Sequence, residues 1–321
     1  MMQKRKKRRP KFGVLLLMIV VIVLAYKSNI ALNSQSFFRK IGGDKTGSIP
    51  LLTASSDPII SISLDSLHSS NATLVRLDNH SVLMQKNSGQ KIYPASLTKI
   101  MTAIVAIEKL SDLKENIDLP NSMFQELYKA DASMAGFKPS EKVRAIDLIY
   151  GVMLPSGAEC CIGLADHIAG SEQEFVDIMN QKAVRLGMSD THFTNSTGLQ
   201  DDNHYTTVKD LSILLSYALQ NNTFRDVFTA SRYSTAPTNK HPDGITFQNT
   251  MFKNIKSSVI DGGEILGGKT GYTDEAGLCL ASLAQKDGRE YILVTAGAKG
   301  NHESEQYNID DAYAVYNKLG K

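Results

Sequence analysis

A serine and a lysine three residues apart, Ser96 and Lys99, form the first candidate for chemistry. Positions i and i+3 share one face of a helix, so the lysine amine reaches the serine hydroxyl. A neutral amine can remove the hydroxyl proton and turn the serine into a nucleophile. The same spacing occurs in Ser88–Lys91 and Ser111–Lys114, but only Ser96 stands at the start of a long apolar helix pattern. We therefore favour Ser96 and Lys99 as a nucleophile and its base.

A second candidate is the tripeptide Lys269-Thr270-Gly271 at the end of a predicted strand. The lysine charge and the threonine hydroxyl suit a substrate carboxylate, and Gly271 lets another backbone or a ligand come close. The same tripeptide at Lys45–Gly47 has no flanking strand and lies in a polar stretch that we interpret as a linker. Only the later copy is interpreted as a site.

Ser156 lies in a turn between two predicted helices, within the segment Leu154–Glu159. A serine in such a turn can point its hydroxyl into a neighbouring site. It can equally be the N-cap of the helix that follows. From the residues alone, both interpretations of Ser156 stay open.

The histidine and cysteine residues suggest no further chemistry. His204 has no acid-histidine-serine arrangement around it, and we interpret it as structural. Cys160, Cys161 and Cys279 lie in apolar stretches without a histidine at metal-ligand spacing, so we interpret them as buried small side chains. The sequence predicts neither a metal nor a cofactor.

The composition of the chain excludes several classes of protein. Its 321 residues are 42% apolar and 21% charged, which rules out a disordered, collagen-like or disulfide-scaffold chain. The formal net charge is +2, but seven lysines and arginines stand before residue 12, which leaves about −5 for the rest. Because a nucleic-acid-binding protein spreads its cations over the folded surface, a nucleic-acid partner is excluded.

An apolar run follows these cations, from Phe12 to Tyr26, and predicts export of the residues beyond it. Together with Ile30–Leu32 it reaches the roughly 20 residues that span a bilayer, whereas its core alone matches a signal peptide. The cations predict a cytoplasmic start in both cases. We predict a basic cytoplasmic segment over 1–11, a signal-anchor or transmembrane segment over 12–32, a linker over 33–57 and one folded domain over 58–321.

Hydrophobic periodicity predicts strands at both ends of this domain and helices between them. An antiparallel sheet then forms from both chain ends, with a helical insertion, and the predicted fold class is α+β. The turn Lys286–Gly288 predicts a hairpin near the C-terminus. The predicted elements are strands at 59–64, 73–77 and 81–85, helices at 97–110, 144–154, 159–169, 172–186 and 207–219, strands at 265–271, 277–285 and 289–298, and a helix at 304–319.

Taken together, the motifs resemble the signature of the penicillin-binding, active-site-serine family, which reads S-x-x-K, then S-x-N or S-D-N, then K-T-G. The chain is similar to the low-molecular-mass D-alanyl-D-alanine carboxypeptidases in Tyr93–Thr102, in Gly198–Thr207 and in Gly268–Thr273. The likeness spans about residues 58–321. It implies a β-lactamase or penicillin-binding transpeptidase-like fold, with a serine D,D-peptidase catalytic domain over that range.

The resemblance also implies how acyl transfer would proceed. Ser96 would attack the carbonyl carbon of a D-Ala-D-Ala bond, and Lys99 would take its proton. Ser156 would help relay that proton to the leaving D-alanine. Water would then hydrolyse the acyl-enzyme, and β-lactams, which mimic the D-Ala-D-Ala terminus, would acylate Ser96.

The K-T-G strand would bind the substrate. By the resemblance, Lys269, Thr270 and Gly271 are substrate-binding residues, and the first two hold the terminal carboxylate. The oxyanion would lie between two backbone N–H groups, which map to Ser96 and Tyr272. The implied partners are peptidoglycan stem peptides and β-lactams, together with the membrane through the N-terminal segment.

Ala158 departs from the family pattern. The family has a side-chain amide there that hydrogen-bonds the substrate peptide, and its loss costs about 1 kcal/mol, or up to about tenfold in rate. Glu159 either lines the cleft or serves as a first-turn helix acid. Typical members also continue into a small β-rich domain and a C-terminal anchor, whereas this sequence stops after one helix, so we expect an N-terminal tether.

These features predict a membrane-anchored, penicillin-sensitive carboxypeptidase that removes the terminal D-Ala from peptidoglycan stem pentapeptides. The expected location is the bacterial cell membrane with the catalytic domain outside, or secretion if the signal is cleaved. Two alternatives stay open: a penicillin-binding sensor that acylates without turnover, and a β-lactamase-like hydrolase, for which we place no deacylating carboxylate. Relatives serve housekeeping or glycopeptide resistance, and the motifs fit both roles.

Overall fold

A computed structural model of the chain describes residues 48–54 and 63–320, which place helices on both faces of a sheet. The strands are β1 (Thr53–Ala54), β2 (Asn71–Arg76), β3 (Ser81–Lys86), β4 (Asn116–Leu119), β5 (Glu141–Arg144), β6 (Arg232–Ser234), β7 (Thr246–Gln248), β8 (Val259–Ile260), β9 (Gly263–Thr273), β10 (Gly277–Lys286) and β11 (Arg289–Ala298). The helices are α1 (Lys99–Lys109), α2 (Asn121–Lys129), α3 (Ala145–Met153), α4 (Ala158–Ala169), α5 (Glu172–Leu186), α6 (Val208–Ala218), α7 (Asn222–Thr229), α8 (Thr250–Asn254) and α9 (Tyr307–Lys318).

Seven strands form the main sheet, in the order β1-β3-β2-β11-β10-β9-β8. Neighbouring strands are antiparallel except β1 and β3, which run parallel. Strands β2 and β3 come from the start of the domain and β8 to β11 from its end. The predicted α+β fold, with a sheet built from both chain ends, is therefore confirmed.

Alternation of side chains along the central strand β11 separates two halves of the core. Ile292 and Val294 belong to the apolar cluster of the helical insertion, whereas Leu293 packs with Val315 and Tyr316 of α9. Successive residues of a strand point to opposite faces, so one strand serves both clusters. All five side chains are buried, and the sheet is covered on both faces.

Helix α1 lies inside the helical half of the core. All its residues from Lys99 to Ile107 are buried, and a helix that is apolar on nearly every side is typical of such a position. The helix predicted over 97–110 begins as a 3-10 turn, Ala95–Thr98, and continues as α1. The turn is thereby fixed to an element that close packing holds in place.

The other predicted elements correspond to α3, α4, α5 and α6, and to the strands β2, β3, β9, β10 and β11. The sequence analysis did not predict two small sheets, β4 with β5 and β6 with β7, or the helices α2, α7 and α8. Their segments are only three to nine residues long, too short for a periodic pattern to stand out.

Three predicted boundaries differ from the structure. Of the strand predicted at 59–64, residues 59–62 lie outside the described residues, and Leu64 starts a 3-10 turn instead. Within the predicted linker, β1 pairs with β3, and Leu52 beside it packs against the core. The last helix starts at Tyr307 rather than at 304, because mutual hydrogen bonds between Asn301 and Ser304 hold the preceding residues in a turn.

The predicted basic segment 1–11 and the predicted membrane segment 12–32 lie outside the described residues. Within the part of the chain that the structure describes, no helix combines the length and the apolar character needed to cross a bilayer. The described residues all fall within one compact unit, 47–321.

Asp311 ties α9 to the residues that lead into β2, and this contact makes a first prediction. Its buried carboxylate accepts the backbone N–H groups of His68 at 2.8 Å and Ser69 at 2.7 Å. Asp311→Ala leaves these donors without an acceptor, so we expect a loss of about 2 kcal/mol in the free energy of unfolding. Urea denaturation measures it, with Asp310→Ala as the matched control. A loss no larger than that of the control would contradict the role of Asp311.

Candidate active site

Ser96 lies in the 3-10 turn Ala95–Thr98 that leads into α1. Ala95 has a left-handed backbone with φ of 46°, which is uncommon for a residue with a Cβ atom and typical of functional sites. Gly198 packs against this turn, and an added Cβ there would lie 1.9 Å from the carbonyl oxygen of Ala95. Only glycine fits at position 198, so the segment around it fixes the backbone that presents Ser96.

Lys99 lies one turn further on and is almost completely buried, with 3% of its surface exposed. Its Nζ is 3.1 Å from Ser96 Oγ and donates to the carbonyl oxygen of Thr197 at 2.6 Å. Burial lowers the pKa of Lys99 from its ordinary value, against the opposing negative charge of groups such as Glu159. Burial thus shifts Lys99 toward the neutral amine, the form that can accept the serine proton.

Ser156 points into the site from the turn between α3 and α4. It has a left-handed backbone, with φ of 68°. Its hydroxyl donates to Ser96 Oγ at 2.9 Å and accepts from Lys269 Nζ at 3.0 Å. The N-cap position of α4 belongs to Gly157 instead. Of the two interpretations left open for Ser156, the structure therefore selects the inward-facing one.

Strand β9 supplies Lys269 and Thr270. The Lys269 side chain is fully buried and, besides Ser156, contacts the carbonyl oxygen of Thr270 at 2.8 Å. Burial lowers the pKa of Lys269 well below its ordinary value, and the charge of Lys99 lowers it further. Thr270 Oγ1 lies 2.6 Å from Thr250 Oγ1 of α8, so α8 is part of the same wall.

Gly271 lets β9 come close to the nucleophile turn. An added Cβ at this position would lie 3.1 Å from the backbone nitrogen of Ser96 and 3.2 Å from the carbonyl oxygen of Pro94, tighter than ordinary contacts. The strand continues directly into Tyr272. The two expected oxyanion donors, the N–H groups of Ser96 and Tyr272, therefore lie on adjacent segments of backbone.

These residues meet at one cavity of about 120 Å³. Ser96, Ser156, Thr270, Gly271 and Tyr272 lie in its wall, and the two buried lysines contact the serines from inside the protein. The wall also contains residues that the sequence analysis missed, because they come from short loops and from α8 and carry no motif. They include Ser133, Thr250, Lys253, Asn254, His302 and Gln306.

Ala158 and Glu159 are buried, and neither lines this cavity. The backbone N–H of Ala158 donates to the carbonyl oxygen of Ser133 at 2.8 Å. Glu159 Oε1 accepts the backbone N–H groups of residues 135, 136 and 137 at 2.7, 2.9 and 3.3 Å. Of the two interpretations of Glu159, the first-turn helix acid is correct, and its carboxylate also fixes the segment that brings Ser133 to the cavity.

His204 supports the nucleophile turn through Thr98. Its Nε2 lies 2.8 Å from Thr98 Oγ1, and its Nδ1 accepts the backbone N–H of Thr194 at 3.1 Å. Burial lowers the pKa of His204 to about 4, so the ring is neutral at neutral pH. The cysteines are buried and unpaired, as predicted; they are Cys160, Cys161 and Cys279.

Lys99, Ser96, Ser156 and Lys269 thus form a continuous chain of hydrogen-bonding side chains. A serine in contact with a buried lysine, beside a strand that comes close to its backbone N–H, is an arrangement that suits acyl transfer through a covalent serine intermediate. The fold and the site together are those of the active-site-serine class of proteins.

The family model for D-alanyl-D-alanine carboxypeptidases, peptidase S11, matches residues 58–300, and the chain belongs to this family. The resemblance stated from the motifs is therefore confirmed. DacF of Bacillus subtilis is 31% identical over 250 residues, 77% of this chain and 62% of that protein. DacA of Escherichia coli K12 is 31% identical over 234 residues, 70% of this chain and 55% of that protein. The chain spans about three fifths of the length of these relatives.

Solved structures agree with this assignment. The Streptomyces K15 DD-transpeptidase superposes with a TM-score of 0.71 at 26% identity, over 80% of this chain and 98% of that one. A D-alanyl-D-alanine carboxypeptidase from Mycobacterium tuberculosis H37Rv gives 0.68 at 25% identity, over 84% and 95%. The expected penicillin-binding transpeptidase-like fold is confirmed.

The buried ring of His204 makes stability depend on pH. Its pKa is about 4 in the folded protein, below the ordinary 6.5, so under pH 6.5 the unfolded chain binds a proton that the folded one excludes. The neutral His204 ring therefore contributes to the free energy of unfolding above pH 6.5. This contribution, up to about 3 kcal/mol, is lost as pH falls toward 4. We expect the Tm of the parent to drop more steeply from pH 6.5 to 4.5 than that of His204→Asn.

Differential scanning fluorimetry across this pH range measures the two slopes. The exposed His302 provides the matched control, and His302→Gln should keep the slope of the parent. If the parent and His204→Asn lost Tm in parallel, the assigned contribution of His204 would be wrong.

Proposed function

We propose that the chain is a serine-type D-alanyl-D-alanine carboxypeptidase that removes the terminal D-Ala of peptidoglycan stem peptides through an acyl-serine intermediate. The observation that carries this proposal is the run of contacts from Lys99 through Ser96 and Ser156 to Lys269. It supplies a base, a nucleophile and a proton path within one cavity. Membership of the carboxypeptidase family supports the substrate class.

Acylation begins at Ser96. Its Oγ attacks the carbonyl carbon of the D-Ala-D-Ala bond while the neutral amine of Lys99 accepts the hydroxyl proton. The carbonyl oxygen becomes an oxyanion and receives hydrogen bonds from the backbone N–H groups of Ser96 and Tyr272. Because these donors belong to a packed turn and a sheet strand, they need little reorganisation during the step.

Expulsion of D-alanine needs a proton on the leaving nitrogen. Ser156 touches Ser96 and is held by Lys269, so its hydroxyl lies where it can pass a proton to that nitrogen, and the proton that Lys99 took from Ser96 replaces the one that Ser156 gives up. The C–N bond breaks, D-alanine leaves, and an ester joins the substrate to Ser96. Water, with Lys99 again as base, then hydrolyses the ester and restores the serine.

The terminal carboxylate of the substrate lies on the β9 side of the cavity in this proposal. The hydroxyl of Thr270 donates to it, and Lys269 fixes Ser156 and the Thr270 backbone around it. A β-lactam presents a similar carboxylate next to a strained amide, so we also propose that penicillins acylate Ser96.

The sequence supports a position at the outer face of the bacterial cell membrane. The cations before residue 12 and the apolar run after them favour an N-terminal export segment. This segment either stays in the membrane as a tether or is cleaved after export. Trimming of stem peptides as housekeeping and removal of D-Ala-D-Ala ends in glycopeptide resistance both use the chemistry described above.

A second candidate is a wall sensor that acylates and stalls. Ala158 favours it, because the side-chain amide that helps to hold substrate in the family is missing there. Turnover separates the two functions. Both bind penicillin at Ser96, but only the carboxypeptidase releases D-alanine repeatedly from each molecule.

We expect the full-length chain in detergent to release D-alanine steadily from diacetyl-Lys-D-Ala-D-Ala, and Ser96→Ala to lose at least about a thousandfold in kcat. An enzyme-coupled D-alanine assay measures the release. Ser88→Ala is the matched control, since Ser88 has the same spacing to a lysine but lies outside the cavity. Fluorescent penicillin labelling of Ser96 without D-alanine release would favour the sensor instead.

The acid limb of the pH profile follows from Lys99. Only the neutral amine accepts the proton of Ser96, so activity is lost as pH falls through the pKa of Lys99. Because burial lowers that pKa from the ordinary 10.5, we expect kcat/KM to reach its plateau below pH 10.5. Lys99→Arg, which stays protonated throughout, should be inactive. A kcat/KM that kept rising beyond pH 10 would contradict a neutral Lys99.

A further inference from the structure

The wall of the active-site cavity contains one exposed lysine among the described residues. Among the described residues, no aspartate or glutamate lines the cavity, whereas Lys253 and His302 do, and both side chains are exposed. A cavity with an exposed lysine and no acid in its wall favours an anionic ligand group. The terminal carboxylate of a D-Ala-D-Ala peptide is such a group.

The two buried lysines are poorly suited to supply that charge. Lys269 is fully buried, and its Nζ is already bonded to Ser156 Oγ and to the carbonyl oxygen of Thr270. Lys99 is bonded to Ser96 and Thr197 in the same way. Both Nζ groups are already bonded inside the protein, and burial lowers the pKa of both amines, so an exposed cation in the cavity wall is better placed to bring positive charge to the carboxylate.

Helix α8 holds Lys253 in a fixed place beside β9. The N-cap residue Asn249 accepts the backbone N–H of Met251 at 2.8 Å, and its Nδ2 donates to the carbonyl oxygen of Gly268 at 2.9 Å. An added Cβ at Gly268 would lie 2.4 Å from Met251 Sδ, so the strand and the helix are in direct contact. Only the flexible end of Lys253 is free to adjust to a ligand.

Lys253 shares one face of α8 with Thr250, three residues before it. Thr250 Oγ1 lies 2.6 Å from Thr270 Oγ1, the hydroxyl that is expected to donate to the substrate carboxylate. His302 lies on the loop between β11 and α9, with its ring edge against the ring of Tyr272 at 5.0 Å. Lys253 is therefore an exposed lysine on the same helix face as the residue that contacts the Thr270 hydroxyl.

We propose that Lys253 is a specificity-determining residue that supplies the positive charge for the terminal carboxylate of the substrate. This inference rests on the proposed carboxypeptidase function and deepens it. It assigns the hydrogen bond to Thr270 and the charge to Lys253, and it gives Lys269 the task of holding Ser156 and the backbone of β9. Selection of a free peptide terminus over a blocked one then depends on α8.

The test compares diacetyl-Lys-D-Ala-D-Ala with its C-terminal amide, which has the same bond to be cleaved but no carboxylate. For Lys253→Met in the full-length chain, we expect kcat/KM on the free acid to fall about tenfold, mainly through KM, with little change on the amide. Lys253→Arg should restore most of the preference. Lys256→Met is the matched control, an exposed lysine outside the cavity, and should behave as the parent.

Equal losses on the acid and the amide, or no loss, in Lys253→Met would overturn the role of Lys253. The same holds if His302→Gln, and not Lys253→Met, loses the preference for the free acid over the amide. If the parent released no D-alanine, the proposed carboxypeptidase function would fail separately. Acylation rates with benzylpenicillin and its methyl ester then give the same comparison without turnover. An unchanged acid-to-ester ratio in Lys253→Met would overturn the inference there too.

Discussion

Burial of two lysine side chains beside two serines is the constraint on which the rest of this structure depends. Removing an ammonium group from water is costly, and the charge of Lys99 acts against protonation of Lys269, so both are driven toward neutral amines. That state lasts only while solvent is kept away. The buried helix α1 and the covered strand β9 provide the enclosure, so the hydrophobic core sets the protonation state on which the chemistry relies.

Close backbone approach is the second requirement, and it explains local features that would otherwise be unfavourable. Ala95 and Ser156 both have left-handed backbones, a strained state for residues with side chains. Each is held by neighbours: Gly198 packs on the Ala95 carbonyl, and Lys269 bonds the Ser156 hydroxyl. Gly271 lets the strand meet the nucleophile turn. Strain at these positions is the cost of bringing three distant segments to one cavity.

The sequence predicts the sheet and the long helices, because β11 and α1 are apolar over stretches long enough to stand out from the turns around them. It also points to Ser96, Lys99, Ser156 and Lys269, since each lies in a short motif. It could not show that Ser156 faces inward, which follows from a left-handed backbone and a contact with β9. Nor could it point to Lys253, because the short helix α8 has no periodic pattern and is placed at the cavity by tertiary contacts of Asn249, Thr250 and Met251 with β9.

The cysteines have a consequence for redox behaviour. Burial raises the pKa of Cys161 and Cys279 to about 12, so almost no thiolate exists at neutral pH, and Cys160 is shielded in the same way. Thiolates are the species that oxidants and disulfides attack. An odd number of thiols would be a hazard in the oxidising surroundings that the proposed export implies, and packing removes it without any pairing. The thiols become reactive only when the core opens, which makes them built-in reporters of unfolding.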